Sequence, residues 1–265
     1  MTNEPRRTIA VIGGSGVRGI FEGGARATHK VSTPWGAPSA PIEEGTVGGV
    51  RVLFLPRHGP GHTIPPHLVN YRANIDALVG LGADAIVTVS SVGSLREELP
   101  PGTFVLPDQF VDLTKRRPTT FYDRGKVMHV SLADPFCPVL LEAAQNAGRA
   151  IGRPFAEGKT YVCVEGPRFS TRAESRFFRT FADVIGMTLV PEVTLARERA
   201  RCYACLAMVT DYDVWAERPV EVREIIAVME QNVATMQGLL TDLVPKLARP
   251  SACHCREALE HAGIG

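Results

Sequence analysis

The sequence has no apolar run that approaches the ~20 residues a membrane-spanning helix needs. It has almost no net charge, since 29 Lys and Arg stand against 28 Asp and Glu, and it carries no basic block. Nothing in it provides the electrostatic footprint of a nucleic-acid or anionic-membrane partner, and neither partner is expected. Arg6-Arg7 is followed by only Thr8–Ile12 before glycines begin, too short for the apolar core of a secretory signal. A cytoplasmic protein is expected. There is no internal repeat, no low-complexity segment and no linker rich enough to divide the 265 residues. One domain over 1–265 follows, with the tail 250–265 as its one loosely packed element.

Cysteine is sparse, at six residues, but its placement invites a metal reading. Cys202-x-x-Cys205 and Cys253-His254-Cys255 together imitate a zinc pattern. Cys202 and Cys205 lie in an apolar run that reads as a strand. Positions three apart on a strand point to opposite faces, so these two do not chelate one ion. No metal is expected. Cys137, Cys163, Cys202 and Cys205 read instead as small buried apolar side chains. Cytosolic disulfides are rare outside hyperthermophiles. The chain is rich in arginine, poor in lysine and sparing with Asn and Gln, which leaves open a disulfide involving Cys253 or Cys255.

What is present is an alternation of short apolar runs and amphipathic stretches. Strands are predicted at Ile9–Ile12, Val50–Leu55, Ala85–Val89, Thr103–Leu106, Thr160–Val164 and Cys202–Val209. Helices are predicted at Asn70–Leu81, Pro138–Ala150, Ala173–Phe181 and Pro219–Leu247. Strands alternating with helices imply an α/β fold with a largely parallel sheet. Residues 113–138 lack periodicity and read as a surface excursion, of a length that is usually functional or disordered.

Ligands of open α/β sheets bind outside the carboxyl ends of the strands, so the strand exits carry the chemistry. Asp211 and Asp213 leave the last apolar run two residues apart, which puts both carboxylates on one side of a strand. A pair of acceptors there suits a ligand with several N–H groups, such as an aminopurine; an acidic helix start explains them equally well. Gly14–Gly19 matches G-x-G-x-x-G, but no acid stands about twenty residues on, which argues against a dinucleotide fold. Glycines and the Ser15 hydroxyl suit close approach to an anion. Arg57 and His58 follow the second run, and an arginine among glycines suits bidentate binding of phosphate. Ser90 and Ser91 follow the third run. Three such exits read best as converging on one anion. Downstream, Phe169 on a Gly-Pro loop suits stacking on a flat ring, or equally a loop anchor. Met187 and Thr188 offer a sugar contact and another hydroxyl, or simply a helix cap.

The ordered set of Gly13-Gly-Ser-Gly16, Pro56-Arg-His-Gly59, Asn70-Tyr-Arg-Ala-Asn74, Val92-Gly-Ser-Leu95, Glu165-Gly-Pro-Arg-Phe-Ser170, Met187-Thr188 and Thr210-Asp-Tyr-Asp213 resembles the methylthioadenosine phosphorylases, in the trimeric branch of the purine nucleoside phosphorylases. The resemblance runs from about Ile9 to Leu247. It implies a single α/β domain with a twisted, largely parallel mixed sheet flanked by helices. It implies phosphorolysis of 5′-deoxy-5′-methylthioadenosine to adenine and 5-methylthioribose 1-phosphate, in purine and methionine salvage. No cofactor is implied, phosphate being a co-substrate, and the implied assembly is a homo-oligomer, a trimer or a dimer of trimers. By the same resemblance, Ser15, Arg57, His58, Ser90, Ser91 and Thr188 bind phosphate. Met187 meets the ribose, Phe169 stacks on the base, and Ser170 stands beside it at a specificity position. Asp211 and Asp213 read N7 and the 6-amino group as the catalytic pair. Val222, Ile225 and Ile226 wall the 5′-methylthio group, and His129 is lent by a neighbouring subunit. Ser90-Ser91 departs from the threonine or asparagine followed by alanine that family members often carry. The rival readings are a 6-oxopurine or broad-specificity phosphorylase, a nucleosidase that uses water, and a purine-binding module without turnover.

Overall fold

The computed structural model describes residues 7–216, 221–247, 253–260 and 262–263, with Ser15 and Gly16 described as backbone only. In chain order the described elements are β1 (Thr8–Gly13), β2 (Ala27–His29), β3 (Ile42–Val47), β4 (Val50–Pro56), α1 (Tyr71–Gly80), β5 (Ala83–Ser94), β6 (Phe104–Leu113), α2 (Pro138–Ala150), β7 (Ala156–Val164), α3 (Arg172–Phe178), β8 (Val184–Gly186), α4 (Leu189–Glu198), β9 (Cys202–Asp211) and α5 (Val222–Lys246).

The apolar runs become central strands because both of their faces are covered. Every residue of β1 is buried, and so are the first nine of β9. Successive side chains alternate between two cores. Ala10, Ile12, Leu53, Leu55, Ile86, Tyr203 and Cys205 face the layer that holds α1 and α4. Ile9, Val11, Val52, Phe54, Ala85, Val87, Cys202 and Ala204 face the layer of α2 and α5. Each large side chain so buried contributes about 1.5–3 kcal/mol.

The sheet is mixed, in the order β2-β3-β4-β1-β5-β8-β7-β6-β9. β4, β1, β5 and β9 run parallel, so their exits lie side by side. β9 also pairs β6, and β5 also pairs β8. The strands β5, β9, β6, β7 and β8 therefore close into a ring. β5 belongs both to this ring and to the open half of the sheet. That shared strand positions the site.

Three strands and one helix escape the sequence patterns. β3 carries Glu43 and Glu44 and pairs antiparallel beside β2, so it lacks a continuous apolar run. β8 has only three residues. Eight of the ten residues of α4 are buried and Val190 interrupts its helical geometry, which leaves no polar face to mark a helix. The excursion after β6 holds no helix or strand in residues 114–137, but it is anchored rather than superficial. Arg117 is buried, donating to Tyr71 Oη, to Glu165 Oε1 and to the Glu165 carbonyl, and Phe121 and Phe136 enter the core. The tail, expected to be loose, has anchored points among its described residues, although His254, Arg256, Glu257, Glu260 and Gly263 are exposed. Cys255 and Ala262 are buried, Gly263 bridges Met128, and the His129 N–H donates to Ala262 O.

The Asn70-Tyr71-Arg72-Ala73-Asn74 motif proves to be scaffold. Asn70 caps α1 by accepting from the Ala73 N–H, and its amide donates to Trp35 O at 2.9 Å. Tyr71 Oη donates to Pro66 O, and Asn74 holds both the backbone and the hydroxyl of Ser39. Among the described residues, no helix is long and apolar enough to cross a membrane. Asn70→Ala removes a cap and a loop tether together. It is expected to lower unfolding free energy by about 1–2 kcal/mol in chemical denaturation, and an unchanged midpoint contradicts the capping role.

Candidate active site

The site begins with a gap in strand pairing. β1 last pairs β5 at Ile12–Thr88, and β8 first pairs it at Gly93–Ile185. Over Val89–Val92 that edge of β5 has no strand neighbour. Arg57, one residue past the end of β4, fills the gap by donating Nη1–H to the free Val89 carbonyl at 3.0 Å.

Arg57 is 2% exposed, and an unpaired charge cannot be kept in such a place. Glu192, in the first turn of α4 and fully buried, takes Nε–H at 2.6 Å and Nη2–H at 3.0 Å. Tyr203 Oη donates to the same carboxylate at 3.2 Å and itself receives from Thr88. Burial opposes the arginine's charge, but Glu192 outweighs it and pushes the pKa up. The guanidinium is therefore a permanent cation. Three of its five N–H groups are committed, and two remain.

His58 is neutral. Its Nδ1 lies 2.8 Å from Ile64 O, and a carbonyl can only accept, so Nδ1 carries the hydrogen. Burial, and then the charge of Arg57, push its pKa down to about 4. Nε2 is consequently an acceptor near neutral pH, suited to a hydroxyl rather than to a bare oxyanion. The His62 ring stacks on it at 4.3 Å.

Ser90 Oγ and Thr188 Oγ1 are buried and 3.1 Å apart. One donates to the other, which leaves the second hydroxyl hydrogen for a ligand. Thr188 occupies the N-cap position of α4 but makes no side-chain cap, so capping does not account for its hydroxyl. Ser90 and Ser91 sit within β5 and not at its exit, because the strand continues to Ser94. They still line the cavity, as do Gly14 and Val17 around the first strand exit. The side chain of Ser15 lies outside the described atoms.

The acids are joined by a turn rather than by strand alternation. β9 ends at Asp211, and Asp213 opens a 3-10 turn with φ +51°. In that conformation the Asp213 N–H reaches back to Asp211 Oδ1 at 2.8 Å, while Thr210 Oγ1 donates to Asp211 Oδ2 at 2.8 Å. Asp213 Oδ2 is buried without a hydrogen-bond partner among the described residues. Burial pushes both carboxyls above the ordinary aspartate value. Gly93 lets them close on β5. A Cβ there would stand 3.0 Å from Asp211 Oδ1 and 3.4 Å from Asp213 Cβ.

Apolar surface completes the enclosure. Phe169, Val222 and Ile226 remain 38%, 59% and 48% exposed, and with Ile225 they line one cavity of about 540 Å³. Ser170 and Met187 line it too. Met187 packs against Gly166, whose φ of +68° favours glycine and where a Cβ would stand 2.5 Å from Met187 Sδ. The cavity thus gathers Arg57, His58, Ser90, Ser91, Phe169, Ser170, Met187, Thr188, Asp211, Asp213, Val222, Ile225 and Ile226. His129 does not line it and is exposed elsewhere on the chain. Sequence reasoning gave Thr210 no role although it opens the quoted Thr210–Asp213 motif, and it missed Glu192 and Tyr203, and with them Asn232 and Met236 of α5, which line the cavity. Of the missed residues, only Glu192 left a signal, its acidity beside Met187-Thr188.

Val89 and Ser90 hold the cation and hydroxyls, and Gly93 holds the acids. Three or four strand residues separate the two groups by about 10–13 Å. The fold and site define an α/β protein that can grip an anion at one position of β5 and the N–H edge of a flat ring at another. The model of the phosphorylase superfamily matches residues 8–245. A relative from Pyrococcus abyssi, named S-methyl-5′-thioadenosine phosphorylase, is 54% identical over 252 residues, 95% of this chain and 97% of its own. The crystal structure of a methylthioadenosine phosphorylase from an Antarctic soil metagenomic library superposes with a TM-score of 0.91 at 42% identity, covering 98% of this chain and 93% of that one. The Schistosoma mansoni methylthioadenosine phosphorylase in complex with adenine superposes with 0.90 at 36% identity, covering 96% of each chain. The chain belongs to the phosphorylase superfamily, and the resemblance read from its ordered motifs holds.

Two outcomes test this electrostatic reading. Glu192→Gln leaves the buried guanidinium unbalanced and is expected to cost about 3–5 kcal/mol of stability in denaturant titration; a loss below about 1 kcal/mol, the surface-pair range, contradicts it. For His58 the folded pKa of about 4 lies below the ordinary 6.5. Stability tied to the neutral ring is present above 6.5 and is lost as pH falls towards 4. His58→Asn should therefore flatten the fall in unfolding free energy across that window, and parallel curves for the two proteins contradict the assignment.

Proposed function

We propose that the chain catalyses phosphorolysis of 5′-deoxy-5′-methylthioadenosine, yielding adenine and 5-methylthioribose 1-phosphate. The observation that carries this reading is the pairing, along one strand, of a permanent cation with two buried acids. Phosphate is held by the two remaining Arg57 N–H groups and by the hydroxyls of Ser90, Ser91 and Thr188, with Ser15 at the glycine turn. His58 Nε2 accepts from a hydroxyl, that of a protonated phosphate or of the sugar. Met187 packs on the ribose.

A phosphate oxygen forms the new bond at the anomeric carbon as the bond to the purine N9 breaks. The bonding electrons leave with the purine, and the ring departs as neutral adenine when N7 gains a proton. The aspartate pair supplies that proton. Burial keeps one on the pair at a pH where an exposed aspartate has lost it. The second, ionised carboxylate accepts from the 6-amino group.

Phe169 stacks on the base with Ser170 beside it. The half-exposed Val222, Ile225 and Ile226 cover the methylthio group. Their exposure in a single chain fits burial by the ligand and by a neighbouring copy. His129, exposed and held near the tail, reaches that neighbour's cavity in a trimer or a dimer of trimers. The reading needs no cofactor and places the reaction in the cytoplasm, in purine and methionine salvage.

An ionised carboxylate attracts a 6-amino group and repels a 6-carbonyl. Buried hydrogen bonds of this kind discriminate by roughly four to five powers of ten. Asp211→Asn is expected to raise kcat/KM for inosine relative to methylthioadenosine by about 100-fold or more, measured with phosphate present. A substrate ranking identical to that of the parent removes Asp211 from base recognition.

A further inference from the structure

Outside the cavity, the described residues contain one other concentrated group of reactive side chains. Cys137 precedes α2, Cys202 opens β9, and Cys253 and Cys255 come from the segment beyond α5. Their four sulfurs all lie within 4.8 Å of one another, with Cys202 and Cys253 at 3.4 Å. Three of the four residues are buried, and all are free thiols.

Cys205 takes no part. It packs in the opposite core from Cys202, as strand alternation requires. The C-x-x-C pattern is therefore not the metal motif. Cys202 instead finds partners far away in sequence, which a reading of local spacing does not see.

Tetrahedral zinc with Zn–S bonds of about 2.3 Å needs sulfurs about 3.8 Å apart. The cluster brackets that spacing. We propose that Cys137, Cys202, Cys253 and Cys255 form a structural four-thiolate site for zinc. Four sulfur ligands leave no open coordination position, so the ion has no catalytic role. Binding releases the thiol protons and leaves a site of net charge −2. Cys137 stands at the N-cap position of α2, whose positive dipole end offsets part of that charge.

Half of the site is fixed without metal. The Cys137 N–H donates to Tyr203 O at 2.9 Å, which ties the start of α2 to the start of β9. The other half arrives with the tail. The ion therefore clamps the tail onto the core, and with it the Met128–His129 segment that pairs with residues 262 and 263.

The test uses the full chain, expressed with added zinc and purified anaerobically without chelator. About one zinc per chain is expected by elemental analysis, reduced at least tenfold in Cys253→Ser. Replacement by cobalt in the parent chain should give thiolate charge-transfer bands and the intense visible bands of a tetrahedral ion, which keeps the test independent of how the variant folds. Stripping the metal should lower the melting temperature. Protein that holds no zinc and shows six free thiols on unfolding overturns the proposal. So does protein whose mass is lower by two hydrogens per bond, with these cysteines joined as disulfides, or a cobalt spectrum without sulfur ligation.

Discussion

The site depends on a buried ion pair that mends a break in the sheet. β5 must leave β1 to join the ring through β8, and that change of partner strands a length of its edge inside the protein. Arg57 satisfies the exposed Val89 carbonyl, and Glu192 makes the arginine tolerable there. The pair couples the exit of β4 to the first turn of α4, and so brings the Arg57–His58 segment against Thr188. A guanidinium held on three sides by fixed acceptors has little freedom. Its two remaining donors are aimed before any ligand arrives, which is the preorganisation that electrostatic catalysis requires.

The acids are held by the opposite logic. Asp211 receives two hydrogen bonds, yet burial dominates and raises its pKa. Asp213 is placed by a left-handed turn, which Asp tolerates better than most residues, and that turn is fixed from the far side by Trp215 Nε1–H donating to Ser94 O at 2.7 Å. The cation keeps its charge under all conditions, while the carboxyls are biased towards keeping a proton. Phosphorolysis needs this division: a stable grip on the nucleophile and a proton source near the leaving group.

The fold was legible where periodicity is strong. β1, β4, β9, α1 and α2 lie at or within a few residues of their expected bounds, and α5 matches over its described residues, the expected start at Pro219 lying outside them, because an apolar strand run or an amphipathic helix records its burial in its own spacing. α4 did not announce itself, since a helix buried all round has no polar face, and β3 was hidden by its paired glutamates. The expected site residues lie largely in one cavity, but the reasons that unite them were only partly visible. Ser90 works from within a strand, and Asp213 joins Asp211 through a turn. Glu192 and Tyr203 act through Arg57, 135 and 146 residues away in sequence respectively, a distance over which residue spacing carries no information. The cysteines give the same lesson. Cys202 was read against its neighbour Cys205, although its contacts come from a helix start and from the tail.

The most direct measurement is a crystal structure with adenine and phosphate or sulfate bound together. The account predicts the anion on Arg57, Ser90 and Thr188, and the N7 and 6-amino edge of the ring within hydrogen-bond distance of Asp211 and Asp213. A ring that lies away from both aspartates, or an anion that does not touch Arg57, would contradict it.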